Sequence, residues 1–571
     1  MSAHSHRLSG EVLLGGAAVL FSAALLAARA LAALARPVDL YDECLPLVHA
    51  RLLRQGAEPF GDFFMMYPAL PDRLLAWIFG WTGESVLAVR FFYLAVTAVL
   101  TAGVFLFFRA REGSALRAAA WTALFLAATG AHFERPSWPW FAAALGSVLC
   151  YVTAAPEEKG RTGPARAALA CAGALAGLAF CGRVGFGLYA LAACLLAEIS
   201  ARRARGAALL AVSFAVPAAF VFAGAGSLRE AFLWNFIHPL LHVAPLRFVT
   251  PPPEAAAWIA FPFLWWVLRE RAAGPAAGLA ALFGAAAFTL AGSPAERWVP
   301  ALSPLVAGAI LFLWHRAGER GRETDLALLL FHAFFLNYYL YRADAPHGYP
   351  LGVSAVFLAL TFVPRGAALP GPVLVAAAVL VTAVSTAPPV LARDAARGLR
   401  SVRQIGALLR SGDAAALESG RPPLVRELYP DPREHDAVRA ARSLTRPDEA
   451  VYVGLLDHSR GFVPNVRVTW LLDRPPGART LIFDPGFADT EAFERLTARD
   501  LEERNVSTLL LWKGAQKDAD FWRRDHKGSE YLDRAIRRRY RRAGFFGEDF
   551  EIFRVHAAAQ GALQRYAEDV K

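Results

Sequence analysis

From near its start to about residue 390 the chain is a succession of Ala/Leu/Val/Phe blocks, each about as long as a bilayer crossing, separated by short polar gaps and by two longer segments, 36–85 and 227–253. That pattern removes most folds from consideration. Backbone N–H and C=O groups in lipid must be satisfied within the chain, so blocks of roughly 20 apolar residues without alternation become helices. Candidate spans fall near 11–34, 86–108, 116–132, 138–154, 165–182, 184–200, 206–226, 254–268, 275–292, 298–314, 325–341, 349–364 and 370–390. That makes about thirteen, with 254–268 and 349–364 the shortest. Of 571 residues, 56% are apolar and 19% charged, where a soluble domain carries about a quarter charged. A single soluble globule, a disordered chain and a disulfide scaffold are excluded.

The gaps carry a sign. With the N-terminus in the cytoplasm, the inside gaps hold Arg109, Arg111 and Arg117; Lys159, Arg161 and Arg166; Arg202, Arg203 and Arg205; Arg269 and Arg271; Arg316, Arg320 and Arg322; and Arg365. Each short outside gap holds one arginine: Arg135, Arg183, Arg297 or Arg342. This alternation follows the positive-inside rule, and an odd number of spans places the C-terminal domain outside the cytoplasm. The net charge of +11 is mostly arginine. In a soluble protein it would suggest nucleic acid, but here it sets orientation, so no nucleic-acid partner is expected. The first block lacks a small-residue cleavage site and reads as a retained span. The Ala- and Arg-rich, Lys-poor composition fits a high-GC bacterium, hence a bacterial cytoplasmic (inner) membrane.

The expected fold class is therefore a polytopic α-helical membrane protein with an extracytoplasmic C-terminal α/β domain. Residues 1–390 form the transmembrane domain and residues 391–571 the second domain. Within the first, the outer segment 36–85 holds amphipathic stretches Cys44–Arg54 and Arg73–Phe79, expected along the membrane surface. The outer segment 227–253 carries Trp234, His238 and His242. Pro239 breaks the histidine spacing, so a polar lid fits it better than a zinc site. In the C-terminal domain, Arg397–Leu409 reads as a helix leaving the membrane, Ala450–Leu455 and Thr508–Trp512 as buried strands, and Glu491–Glu503 and Glu530–Arg542 as helices. The basic run Ile536–Arg542 reads as a solvated helix face, with attraction to anionic lipid as the functional alternative. There is no glycine-rich phosphate loop and no internal repeat.

The first outer segment carries an ordered string: Asp42-Glu43, Ala50-Arg51-Leu52-Leu53, Gly56, Pro59-Phe60-Gly61-Asp62-Phe63, Pro68, Gly83 and Arg90. By itself an acid pair at a helix start is ordinary, since the macrodipole favours it. As a set, the string resembles the first outer loop of the GT-C glycosyltransferases, in the bacterial group related to the dolichyl-phosphate-mannose protein mannosyltransferases and the aminoarabinose transferase. Val451-Tyr452-Val453-Gly454, Asp484-Pro485-Gly486 and Asp500-Leu501-Glu502 are similar to strands and a helix of the outer domain in bacterial members.

The resemblance implies a polyprenyl-phosphate sugar donor, an acceptor hydroxyl on a glycan, lipid or protein, and transfer with inversion at the outer face. Asp42, with Glu43 beside it, would be the catalytic acid pair, Asp42 taking the acceptor's proton. The departing phosphate needs preset positive charge, which the planar guanidinium fork supplies. Arg342 and His347 are the preferred phosphate-binding pair, with Arg135, Arg183 and Arg297 as further candidates; snorkelling or pairing with a nearby acid is the bland alternative for each. Asp62, Glu134 and Asp344 are candidates for a second acid or an acceptor contact. Members of the group often carry an acid after the arginine of the second outer loop, whereas here Arg135 is followed by Pro136-Ser137-Trp138 and the nearest acid is Glu134. No cofactor is expected. A divalent cation could be held by Asp42, Glu43, Asp344 and His347, although no metal-binding spacing is present. The competing readings are a lipid or solute transporter, which should show inverted repeats or charges at mid-membrane, and a non-catalytic membrane scaffold.

Overall fold

The computed structural model describes residues 26–129, 137–154, 163–223, 228–237, 388–419, 423–460, 464–483, 488–514, 528–546 and 549–556, with single positions before residue 26 and between 326 and 357. The expected spans 254–268, 275–292 and 298–314, and most of 370–390, lie outside the described residues, as do His238 and His242. The helices in chain order are α1 (Leu26–Ala35), α2 (Cys44–Arg54), α3 (Leu70–Thr82), α4 (Val86–Glu112), α5 (Ala115–Thr129), α6 (Trp138–Ala154), α7 (Gly163–Gly182), α8 (Val184–Ser200), α9 (Ala204–Ala223) and α10 (Leu228–Phe232). After these come α11 (Pro388–Ser411), α12 (Asp413–Ser419), α13 (Leu424–Leu428), α14 (Pro432–Ser443), β1 (Val451–Leu455), α15 (Val466–Leu472), α16 (Glu491–Glu503), β2 (Thr508–Trp512), α17 (Tyr531–Arg539), β3 (Tyr540–Phe546) and β4 (Phe550–Val555). The chain divides into two compact units: Met1–Leu34, Arg90–Phe220 and Thr250–Leu399 form one, and Ala35–Val89, Val221–Val249 and Arg400–Lys571 the other.

The first unit is helical. Among the described residues, Val86–Ala110 and Ala165–Gly182 are long and apolar enough to cross a membrane. About a third of the most apolar 18-residue stretch within Val86–Ala110 is buried, at 33%. Val99, Leu106 and Val212 face outward, as lipid-facing side chains do. Inward, Phe141, Phe186 and Phe335 make edge-on and tilted ring contacts at 5.1–6.1 Å. The backbones of α7 and α9 come so close that a Cβ on Gly177 would lie 2.6 Å from the Phe214 carbonyl oxygen. Small residues permit this close approach of two helix backbones. Side-chain bonds join α4 to α6, through Trp138 Nε1–H to Thr97 Oγ1 at 2.8 Å, and α6 to α8, through Tyr151 O–H to Glu198 Oε1 at 3.0 Å.

The second unit is mixed. Its sheet has the order β1-β2-β4-β3, with β1 and β2 parallel and the other neighbours antiparallel. Every residue of β1 and β2 is buried, as expected of a strand with both faces covered. Their limits match the sequence expectation at Leu455, Thr508 and Trp512. The expectation of a helix through Glu530–Arg542 is corrected: α17 ends at Arg539, and Tyr540-Arg541-Arg542 open the edge strand β3. The basic run thus serves two local ends. Arg537, Arg538 and Arg539 lie at the negative end of the helix dipole, and the arginines of β3 lie on a sheet edge, where charge blocks further pairing.

The amphipathic stretches of residues 36–85 also belong to this second unit. For α2 the expectation of a surface-lying helix is corrected. Leu45, Leu47, Val48, His49, Ala50, Arg51 and Leu52 are buried, and Arg51 lies 3.9 Å over the Trp470 ring of α15. Helix α3 differs: Phe79 packs at 6.0 Å on Trp470, whereas Trp77 and Trp81 are exposed, at 63% and 78%.

Candidate active site

Asp42 sits in a turn that its neighbours build. Asp39 Oδ1 accepts hydrogen bonds from the backbone N–H of Tyr41 at 2.9 Å and of Asp42 at 2.6 Å. In return Glu43 Oε2 accepts the N–H of Asp39 at 2.8 Å. The two acids thus bond reciprocally across the turn that precedes α2, satisfying the amides of Asp39, Tyr41 and Asp42. Glu43 is buried, and Asp42 is half-buried. The Cys44 thiol donates to the Asp39 carbonyl at 3.2 Å, and burial, then the Glu43 charge, push its pKa well up, so it is a structural thiol.

The turn is anchored from behind by distant parts of the second unit. Val38 N–H donates to the Leu428 carbonyl at 2.8 Å, and the Leu40 carbonyl accepts the Arg467 backbone N–H at 2.9 Å. Arg467 Nη1 donates to the Val38 carbonyl at 2.7 Å.

The Pro59–Phe64 string forms a tight loop. Phe60 takes a left-handed backbone with φ 67°, and its N–H bonds the Phe63 carbonyl at 2.7 Å. Asp62 Oδ2 accepts the Glu58 N–H at 2.8 Å, and the exposed Asp62 carboxylate thereby closes this loop. Phe63 and Phe64 are its anchors. Phe63 lies 5.1 Å from the His49 ring, and Phe64 packs edge-on against Trp234 at 4.7 Å and Phe493 at 5.4 Å. His49 Nδ1 bonds Asp72 Oδ2 at 2.9 Å, and burial raises the Asp72 pKa against that bond.

Arg183 belongs to the first unit, just before α8, with its guanidinium 5.1 Å from the Phe186 ring and 5.2 Å from the Tyr338 ring. Such stacking uses the faces of the cation. Arg135, Arg297, Arg342, His347, Glu134 and Asp344 lie outside the described residues. Among the described residues no group of three His, Cys, Asp or Glu could hold a metal ion. Of the four cation ligands considered, Glu43 is engaged with the Asp39 amide, and Asp344 and His347 are outside the described residues.

Arg90, part of the ordered string, is 1% exposed and donates to the Ala33 carbonyl at 2.7 Å. Several other polar residues escaped the sequence reading. Arg29 lies in the first apolar block, is buried, and donates to the Leu126 carbonyl. Glu198 and His332 are fully buried in the first unit. A charge inside an apolar block is the signal that finds them. The Asp39 role is legible as an acid three residues before Asp42 at a helix start; the part of Arg467 is not, because its partners are distant in sequence.

The fold, with its helical unit and its C-terminal sheet, is shared with solved membrane-lipid-phosphate complexes of low sequence identity. The chain superposes on ArnT from Cupriavidus metallidurans bound to undecaprenyl phosphate with a TM-score of 0.53, at 14% identity, over 95% of this chain and 98% of that one. The apo state of the same ArnT gives 0.48 at 14% identity over the same shares. The archaeal oligosaccharyltransferase AglB from Archaeoglobus fulgidus, in complex with an inhibitory peptide and a dolichol-phosphate, gives 0.45 at 15% identity over 95% of this chain and 74% of that one. No family model matches the chain, and no curated protein does.

Proposed function

We propose that the protein transfers a sugar from a polyprenyl-phosphate donor to an acceptor hydroxyl at the outer face of a bacterial cytoplasmic membrane. The reading rests on one observation above the others: the fold is shared along nearly the whole chain with an ArnT that was solved bound to undecaprenyl phosphate. The Asp42 turn supports it: Asp39 holds the Tyr41 and Asp42 amides, and Arg467 holds the Val38 and Leu40 carbonyls. In this reading about thirteen helices cross the bilayer, the N-terminus is cytoplasmic, and residues 391–571 lie outside.

The chemistry follows from the charges. A half-buried Asp42 carboxylate takes the acceptor hydroxyl proton as the oxygen attacks the anomeric carbon. The bond from that carbon to the phosphate oxygen breaks, and the lipid phosphate leaves with the electron pair, inverting the centre. Arginines of the outer gaps offset the growing phosphate charge, with Arg342 and His347 preferred and Arg135, Arg183 and Arg297 as further contributors. Asp62, Glu134 and Asp344 remain the candidates for orienting the acceptor.

The test is transfer of a labelled sugar from a set of polyprenyl-phosphate sugars by the purified protein in lipid nanodiscs. Wild type is expected to release polyprenyl phosphate in step with labelled acceptor. Asp42→Asn is expected to lower the rate by roughly 100-fold or more with normal yield and folding. A near-wild-type rate for Asp42→Asn removes Asp42 as the base, and no transfer from any donor removes the reading.

A further inference from the structure

We infer that Arg467, locked by Glu434, is the positioning residue for the Asp42 turn. The inference rests on the sugar-transfer reading above and goes beyond it by assigning a part of that site to residues about four hundred positions away.

The chain of contacts is continuous. Glu434 takes the Arg467 fork with both oxygens: Nε–H to Oε2 at 2.8 Å and Nη2–H to Oε1 at 2.7 Å. Asn465 Nδ2–H donates to the same Oε1 at 2.7 Å, and its side-chain oxygen accepts the Val468 N–H at 3.2 Å. The carboxylate and its cation are therefore tied to the first turn of α15. Glu434 itself lies in the first turn of α14, whose start Asp431 caps by accepting the Arg433 N–H. Both halves of the ion pair thus sit on capped helices, and their side chains are only 12% and 4% exposed. From this fixed point Arg467 reaches the outer-loop segment twice, through Nη1–H to the Val38 carbonyl and through its backbone N–H to the Leu40 carbonyl. Between those two carbonyls lies Asp39, whose side chain holds the amides of Tyr41 and Asp42.

The geometry suits a catalytic base better than it suits stability. A buried ion pair is weak evidence for stability, because desolvation offsets much of its attraction. A planar fork bonded on two edges fixes direction, which a lysine or an apolar contact would not. A base that must meet a hydroxyl at hydrogen-bond distance depends on that direction, since a misplacement of about 1 Å costs on the order of 100-fold in rate.

The experiment compares Arg467→Ala and Glu434→Gln with Arg479→Ala, all in the full chain in nanodiscs. Arg479 makes a similar two-pronged pair with buried Asp500 in the same unit, and that pair is remote in its bonding from residues 38–43. Two readouts are taken: kcat and KM for donor across pH, and hydrogen–deuterium exchange over residues 38–44. Arg467→Ala is expected to lower kcat by roughly 10- to 100-fold, with KM within about threefold and the acid limb of the pH profile unmoved. Exchange over 38–44 should rise in Arg467→Ala and Glu434→Gln but not in Arg479→Ala. Unchanged exchange in Arg467→Ala overturns its hold on the turn, and raised exchange with an unchanged kcat overturns positioning. If wild type moves no sugar, the functional reading fails and positioning with it, while the exchange comparison still decides the hold.

Discussion

Asp413 shows how much one side chain in this protein can carry. It has no exposed surface, and its two oxygens accept from Ser85 Oγ–H at 2.7 Å, Val86 N–H at 2.8 Å, Tyr429 O–H at 2.6 Å and Trp470 Nε1–H at 3.2 Å. Asp413→Ala strands these buried donors and is expected to cost on the order of 3 kcal/mol, read as a fall in unfolding midpoint of the purified protein. Burial pushes the Asp413 carboxyl up from 3.8, against the bonds from Tyr429, Val86, Ser85 and Trp470. The folded chain then keeps a proton that the unfolded chain has released. The contribution is full below 3.8 and fades as pH rises through the higher folded value. Melting wild type and Asp413→Asn across that range should show a slope in wild type that is shallower in the variant. At this scale the sequence revealed residue types but not their employment. Asp42, Glu43 and Asp62 stand out as acids in the polar segment after the first apolar block. That Glu43 faces back to Asp39 and that Asp62 closes a loop depends on backbone turns, which charge and spacing do not reveal.

At the scale of elements, what was legible followed from length and polarity. Helices α4 to α9 and α16, and the strands β1 and β2, fall where apolar length, amphipathic spacing or a buried run places them. Strand β3 was hidden because Tyr540-Arg541-Arg542 continue the basic run of α17, and pairing with β4, which itself pairs with β2, decides its conformation. The α3–α4 joint was visible only as a glycine. Gly83 has φ +83°, and a Cβ there would lie 2.2 Å from the Leu409 carbonyl oxygen. Gly83→Ala is expected to destabilise by about 1–3 kcal/mol, measured as a lowered unfolding midpoint. Helix α3 offers a second check. Trp77 and Trp81 are exposed four residues apart, with ring centroids 6.0 Å apart, and tryptophan is enriched at headgroup level. Their emission, isolated as the difference between wild type and Trp77→Phe/Trp81→Phe, is expected to be quenched by brominated lipid. An unquenched pair would lift α3 off the bilayer.

At the scale of the whole molecule, the second unit is made from both ends of the sequence. Ser85 and Asp413 are 328 residues apart, and Arg51 and Trp470 are 419 apart. Composition divides the chain near residue 390, because it registers polarity and cannot see which polar segments pair. Removing everything after residue 399 should therefore uncover residues 36–85. Limited proteolysis of the shortened chain is expected to cut between α2 and α3 at least 10-fold faster than in the full chain. Equal rates would show that the loop folds alone. The same long-range joinery sets a clock during synthesis. Val38 leaves the ribosome 429 residues before Arg467. At about 5 to 20 residues per second the interval is on the order of 20 to 90 s. Throughout it the newborn loop lacks its distant guanidinium, so the turn that carries Asp42 is finished among the last parts of the molecule rather than among the first.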